Sequence, residues 1–455
     1  PKFMQKLLKL PEILSKYLVA ALLIIIPLYP KFPFLNIPGI SVAIRFEDFL
    51  LVLVALLTFV KLTPKLKMLL MDNLVRSIFI FLLVGLTSLV CGAYLTNTLT
   101  FSIGFLHLFR LIEYFVPFFF ILAFPNLYKK ENIEFYIRTI ALVMVVLFVY
   151  GLGQRYFNFP VIITQNSEYS KGVALTWTQG SHISSTFAGH YDMAAYLVMI
   201  LPIFVSLFFI FKDKVSRLVM ALTVLSGFWL LVNSLSRVSL ASYLVAVSVS
   251  LLLMKKYKAI ITVILISLIL SSFSPSLLNR YKRVYDVLYL KFVSKLEVGA
   301  QETVLPQKGW STPKPISIPV FEDRSSSIRF NVEWPRAIRA LYKNPLLGTG
   351  YSSISLATDN DYLRLLGEVG ILGFFSFCLI LFNVALVFYK VLPLTERFTG
   401  IELGFVAGVV GGIVGTLMNA VFIDVFEASK FAITFWLVIG IAVYLVKNKL
   451  NDQKI

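Results

Sequence analysis

The sequence predicts an all-α, polytopic integral membrane protein of about twelve transmembrane helices with one large extracytoplasmic loop, and three observations predict it. First, apolar residues make up 58% of the 455 residues and charged residues only 15%, which excludes a water-soluble globule. Second, apolar runs of membrane-crossing length recur along most of the chain. Third, Lys and Arg collect in alternate short connections, as they do on the cytoplasmic side of a membrane. The net charge of +18 would point to nucleic acid in a soluble protein. Beside so many spans its first partner is anionic lipid, and no nucleic acid is expected.

In chain order the runs fall at about 17 to 30, 46 to 62, 76 to 93, 102 to 124, 135 to 153, 190 to 211, 216 to 234, 237 to 254, 258 to 273, 368 to 390, 401 to 422 and 430 to 446. The first lacks a small-residue cleavage site and is followed closely by the second, so it is expected to be a span rather than a cleaved leader. The runs divide the chain into a membrane domain over 1–273, a large loop over 274–367 and a second membrane domain over 368–455. With the N-terminus in the cytoplasm, every inner connection is basic; Lys61, Lys65 and Lys67 mark one, and Lys255 and Lys256 another. The outer short connections hold little beyond Lys31, Arg45, Arg155, Lys171 and Lys430. Both termini are then cytoplasmic and the large loop faces outward. Cys91 and Cys378 lie in or beside apolar runs and form neither a disulfide framework nor a metal signature.

The outer loop keeps an excess of Lys and Arg that the sidedness rule does not require. Arg280 to Lys295 alternates basic and apolar residues at spacings that suit an amphipathic helix on the outer leaflet. Residues 298 to 327 carry Pro306, Pro313, Pro315 and Pro319 and are expected to be irregular. A second outer segment, 154 to 189, holds Trp177 and His182 and can cover a site on the same face.

Ionisable residues within spans need a partner or a wet cavity. His107, Arg110 and Glu113 share one face of the fourth span, either as a buried ion pair that fixes packing or as part of a site. His190 and Asp192 open the sixth span and Arg237 opens the eighth. In the derived orientation these groups converge toward the outer leaflet.

The densest polar stretch runs from Arg329 to Gly370. Pro335 is expected to start a helix, because Pro suits a first turn and biases Trp334 away from helical geometry. On that helix Arg336, Arg339 and Lys343 form a cationic stripe, with Ile338 and Leu341 turned inward and Arg329 upstream of the break. The stripe is a solvated face or an anion site; guanidinium groups grip phosphate oxygens in a bidentate way, which suits a pyrophosphate at a lipid surface. In N-P-L-L-G-T-G-Y, Gly348 and Gly350 either end the helix or let N–H groups, with Tyr351 beside them, approach phosphate oxygens. In T-D-N-D, Thr358 and Asp361 have capping-box spacing, while Asp359 or Asp361 can act as a general base. Metal chelation by this pair ranks lower, since residues two apart diverge on a helix.

These residues carry a resemblance. R-F-N-V-E-W, then N-P-L-L-G-T-G-Y, then D-N-D-Y-L-R-L-L-G-E-V-G-I-L-G, preceded by S-S-T-F-A-G-H-Y-D-M at 184 to 193 and N-S-L-S-R at 233 to 237, is similar to the O-antigen ligase and O-antigen polymerase superfamily of bacterial membrane glycosyltransferases. Arg339 to Gly350 also spans an R-x10-G pattern of its polymerases. The resemblance implies a fold like that of GT-C-type glycosyltransferases, placed in the bacterial inner membrane with the active site facing outward. It implies a metal-independent, inverting transferase without cofactor. Its donor and acceptor would be undecaprenyl-pyrophosphate-linked glycans, with membrane lipids and a chain-length regulator as further partners.

Residues resembling the family's site are Arg237, Arg329, Arg336 and Arg339 for pyrophosphate, joined by Arg110, His190, Gly350 and Tyr351, with Asp359, Asp361 and Glu368 as candidate bases. Ligases that transfer to lipid A-core carry His in H-N-x-Y-L where this chain has Asp359, which favours a polymerase. The rivals are a ligase to lipid or protein, a secondary transporter and a lipid-linked glycan flippase. Against transport stand the outward position of the largest loop, between the ninth and tenth spans, and the lack of a six-plus-six repeat.

Overall fold

The computed structural model describes residues 2–30, 33–36, 43–161, 177–282, 285–286, 289, 327–354 and 357–452. Lys31, Lys171, nearly all of the segment expected to be irregular at 298–327 and most of the amphipathic stretch beyond Lys282 lie outside them. Each of the twelve apolar runs is a helix: α1 (Lys2–Leu28), α2 (Phe46–Leu62), continued after a 3-10 turn by α3 (Leu66–Leu69), α4 (Asn73–Tyr94), α5 (Phe101–Ala123), α6 (Lys130–Tyr156), α7 (His190–Phe208), α8 (Lys214–Asn233), α9 (Arg237–Leu253) and α10 (Tyr257–Ser272). Beyond α11 (Pro275–Lys282) and the loop helix α12 (Trp334–Lys343) come α13 (Asp361–Tyr389), the short α14 (Leu394–Arg397), α15 (Gly400–Asn419) and α16 (Ser429–Asp452).

Nine helices among the described residues are long and apolar enough to cross a membrane, or ten if the pair α10 and α11, bent by 94°, counts as one. The difference from twelve has a physical source. The apolar part of α1 (Ile13–Leu28) and α9 hold 16 to 17 residues, about 25 Å of helix against a hydrocarbon core of about 30 Å. One departure from an all-helical fold is a two-stranded antiparallel ribbon, β1 (Pro33–Asn36) with β2 (Ala43–Arg45), between the first two helices.

The centre of the bundle is built by small residues. On α15 a Cβ at Gly408 would lie 2.3 Å from the Ile203 Cα of α7, one at Gly411 2.3 Å from the Ala246 carbonyl of α9, and one at Gly412 2.5 Å from the Met199 carbonyl of α7. Lipid provides no hydrophobic drive between helices, so close backbone approach through glycine supplies the packing energy. The apolar stretch of α16 is buried throughout. Lys430, expected as an outer-loop charge, is instead buried near its start, and its ammonium donates to the carbonyls of Pro27 (3.0 Å) and Thr186 (2.9 Å). It ties the end of α1 to the segment leading into α7.

Helix α13 is broken at Gly370, whose φ of 73° and ψ of −172° no helix contains. The backbone groups freed there are taken up by the chain that follows α12. Thr349 and Gly350 N–H donate to the carbonyls of Gly367 (3.1 Å) and Glu368 (2.7 Å), and Ile371 and Leu372 N–H donate to those of Pro345 (2.9 Å) and Leu346 (3.1 Å). Irregular backbone at membrane depth persists only when satisfied in this way. N-P-L-L-G-T-G-Y is therefore the partner of a broken helix, and it fixes α12 over the head of α13.

Candidate active site

The loop helix begins earlier than the sequence indicates. Residues 327–328 are already helical, Arg329–Glu333 form a π-helical turn, and this runs directly into α12. Pro335 has no N–H and its ring crowds the carbonyl four residues back; the wider turn relieves both, with Trp334 N–H bonding the Arg329 carbonyl five residues behind. Arg329 is thus part of the helix rather than upstream of a break. The inward face also differs: Ala337 and Ala340 are buried beside Ile354, whereas Ile338 is exposed. Only small residues fit there, because Gly367 of α13 passes close to the Ala337 carbonyl.

Arg329 is buried. Its Nε and Nη2 both donate to Asp359 Oδ2, at 2.9 and 2.8 Å, and Nη2 also donates to the Tyr191 hydroxyl at 3.4 Å. Asp359 sits at φ 49°, a left-handed conformation that Asp tolerates better than most residues. That turn is held from below by Asp424, whose carboxylate accepts from the backbone N–H of Thr358 (2.8 Å) and Asn360 (2.9 Å). Burial pushes the Asp359 carboxyl up, Arg329 opposes the shift and Asp424 adds to it. One turn along the helix, burial pushes Glu333 up to about 7, with the charge of Asp359 adding and Arg329 opposing.

Around this pair the head of α7 and the start of α9 converge. The His190 ring stacks on His182 at 3.7 Å and lies 4.0 Å from the Tyr191 ring. Burial holds His182 low, and the nearby Arg280 cation adds to the effect. Arg237 Nη1 donates to the Arg280 carbonyl (3.3 Å), while Arg280 Nη1 donates to the Leu235 carbonyl (3.4 Å). Arg336 is half-buried with Nη1 lacking a hydrogen-bond partner. Arg237, Arg329, Arg336 and His190 therefore gather around one region, whereas Arg339 and Lys343 are exposed.

Other expected site residues lie elsewhere. Arg110 is paired with Asp48 (3.0 Å) and Glu113 (3.3 Å) between α5 and α2, the ion-pair reading of that motif. Gly350 spends its N–H on α13, and its Cα packs against Gly92 of α4. Tyr351 is buried against Gly85 and, with Glu368, Arg364 and Glu427, lines a cavity of about 50 Å³. Glu368 accepts from Ile354 N–H (3.3 Å) and faces Arg364 Nη2 (3.6 Å). The expected capping box is replaced: Asn360 caps α13 through Leu363 N–H (2.9 Å), and Asp361 accepts from Val425 N–H (2.8 Å) and Phe426 N–H (3.3 Å). Among the described residues no group of three or more His, Cys, Asp or Glu could hold a metal ion.

Sequence reasoning missed Tyr191, Arg280, Glu333 and Asp424. Tyr191 and Glu333 lie inside quoted motifs but carry no spacing signal of their own. Asp424 stands in F-I-D-V-F-E at the mouth of a span, where a lone acid is a signal by its cost.

Residues 221–378 match the family model described as O-antigen ligase, a range that takes in Arg237, the large loop, Asp359 and Glu368. A search of curated proteins finds no match to the chain.

Proposed function

We propose that this chain, whose residues 221–378 match the family model described as O-antigen ligase, polymerises undecaprenyl-pyrophosphate-linked oligosaccharide repeat units on the outer face of the bacterial inner membrane. The observation that carries the reading is the cationic cluster of Arg237, Arg280, Arg329 and Arg336, in which Arg329 is oriented by Asp359 and Tyr191. A preorganised guanidinium cluster facing a lipid-anchored donor neutralises the charge that develops on a departing pyrophosphate. An acceptor hydroxyl attacks the anomeric carbon from the opposite face, which inverts its configuration. With charge neutralisation assigned to arginines, the reaction is metal-independent. Twelve spans, a GT-C-type arrangement and cytoplasmic termini belong to the same proposal and are supported by the inner-loop basic residues.

Asp359 serves as the positioning residue for Arg329 in this reading. A second reading, transfer of the glycan to lipid A-core or protein, is favoured by the description of the matched family as O-antigen ligase. The test is turnover of a defined lipid-pyrophosphate oligosaccharide by purified enzyme in nanodiscs. A ladder on lipid pyrophosphate is expected from the native chain and none from Arg329→Ala. Full-length polymer from Arg329→Ala would sink the assignment, and label found only on an added core-lipid or protein acceptor would establish the ligase.

A further inference from the structure

The carboxylates that the sequence offers as proton acceptors are each committed. Asp359 Oδ2 receives two bonds from Arg329. Asp361 receives the N–H groups of Val425 and Phe426. Glu368 accepts from Ile354 N–H and faces Arg364. Glu333 differs from all three. Its Oε2 is buried without a hydrogen-bond partner, and so are Trp334 Nε1 and Arg336 Nη1, so three unmatched polar atoms occur within four consecutive residues. A buried polar atom without a partner is costly, and such atoms call for an explanation when they cluster. The unmatched acceptor is Glu333 Oε2, close to Arg329, and a sugar hydroxyl would satisfy it by donating.

Position supports the same reading. Glu333 lies four residues after Arg329, on the π-helical turn, so the two share a helix face. The ring of Trp334 lies 4.7 Å from Phe330 and 6.1 Å from Phe422, which makes an aromatic wall of the kind on which a sugar ring packs. The charged groups facing Glu333 are Asp359 and Asp424 from the neighbouring turns and Arg329 and Arg336 from its own helix.

We infer that Glu333 is the catalytic proton acceptor of the glycosyl transfer. The inference rests on the transferase reading above. The acceptor oxygen bonds to the anomeric carbon with its own lone pair. The bond from that carbon to pyrophosphate oxygen breaks, leaving its electron pair on the pyrophosphate. The hydroxyl proton passes to Glu333 and is then released to water, which restores the carboxylate. A base is effective when its proton affinity lies near the working pH, and burial has pushed Glu333 up to about 7. The free enzyme needs this carboxylate ionised, so the rate falls as pH drops through about 7 and holds above it.

The test measures kcat, donor KM and their pH dependence for purified chain in nanodiscs supplied with lipid-pyrophosphate oligosaccharide. Glu333→Gln is expected to lower kcat by about 100- to 1,000-fold, to leave donor KM within about threefold and to abolish the acidic limb. Glu333→Gln turning over within about threefold of the native rate, while Arg329→Ala is inactive, overturns the role of Glu333 alone. If both variants are active, the arginine cluster is not the site, and if the native chain gives no product, the transferase reading itself fails. Should Glu333→Gln not fold, the native pH profile and Glu333→Asp decide: a limb near pH 7 that moves in the Asp variant supports the proposal. A native profile flat through that range overturns it.

Discussion

Arg329 and Arg364 are both largely buried arginines, with side chains 8% and 14% exposed, and their surroundings differ. Each nitrogen of Arg364 faces a different carboxylate: Nη1 meets Asp424 at 3.2 Å, Nη2 meets Glu368 at 3.6 Å and Nε meets Glu427 at 3.7 Å. Arg329 meets the Asp359 carboxylate and the Tyr191 phenol, and stands in a neighbourhood that also holds Glu333, Arg237, Arg280 and Arg336. A guanidinium surrounded by carboxylates has no capacity left for phosphate, and its work is to fasten α13 to the turn before α16. One beside further guanidinium groups is placed to bind an anionic ligand together with them. The chemical type of a residue is thus a poor guide to its role, and the make-up of its surroundings is a better one.

The comparison breaks most sharply at Arg329. Arg329→Ala is expected to lower turnover by about 100- to 1,000-fold, the effect of removing one preorganised donor. It also leaves Asp359 buried and unpaired, which costs stability. The double variant Arg329→Ala/Asp359→Ala should therefore recover the melting temperature while staying inactive. Turnover returning together with stability would show that Arg329 only holds the fold.

At Arg364 the balance is reversed. Arg364→Met strands Asp424, Glu368 and Glu427 and is expected to cost about 3–5 kcal/mol of stability, seen as a lower melting temperature and lower folded yield. Turnover per folded molecule should stay within about threefold at a permissive temperature. A hundredfold loss in protein that remains folded would merge the two clusters into one site.

These two regions also show how far the sequence could be read. Apolar runs placed the long apolar helices, because period and length are local properties. The gathering of Arg237, Arg329 and His190 followed from sidedness, which sums over the chain. The roles of the carboxylates could not be read in this way. Asp359, Asp361 and Glu368 lie within ten residues of one another, and what separates them is the partner each meets: Arg329, the amides of Val425 and Phe426, and Arg364. Those partners come from distant elements. Gly350 misled for the same reason, since a Gly-x-Gly that donates to a broken helix looks the same in sequence as one that cradles phosphate.

Gly370→Ala tests the scaffold that separates the clusters. A Cβ there would lie 2.4 Å from the Leu346 carbonyl at a φ of 73°. The strain is expected to cost about 1–3 kcal/mol, read as a lower melting temperature. Turnover should also fall, by less than for Arg329→Ala, because the displaced 345–350 segment carries α12 and its cluster with it. An unchanged melting temperature would mean that the break at Gly370 does not need glycine.

The finest division lies on α12 itself. Arg336 and Arg339 are three residues apart and equally basic, yet Arg336 keeps a buried Nη1 without a partner while Arg339 is exposed. An exposed guanidinium interacts through water and salt and contributes little to holding an anion. One in a desolvated position makes charge-assisted bonds about twice as strong as neutral ones. Arg336→Ala is therefore expected to raise donor KM about tenfold, a loss of about 1.4 kcal/mol of binding. Arg339→Ala should change it by less than about twofold, the smallest effect expected here. Equal effects from the two would mean that α12 presents a uniform cationic face and that the unmatched atoms at its start bind nothing.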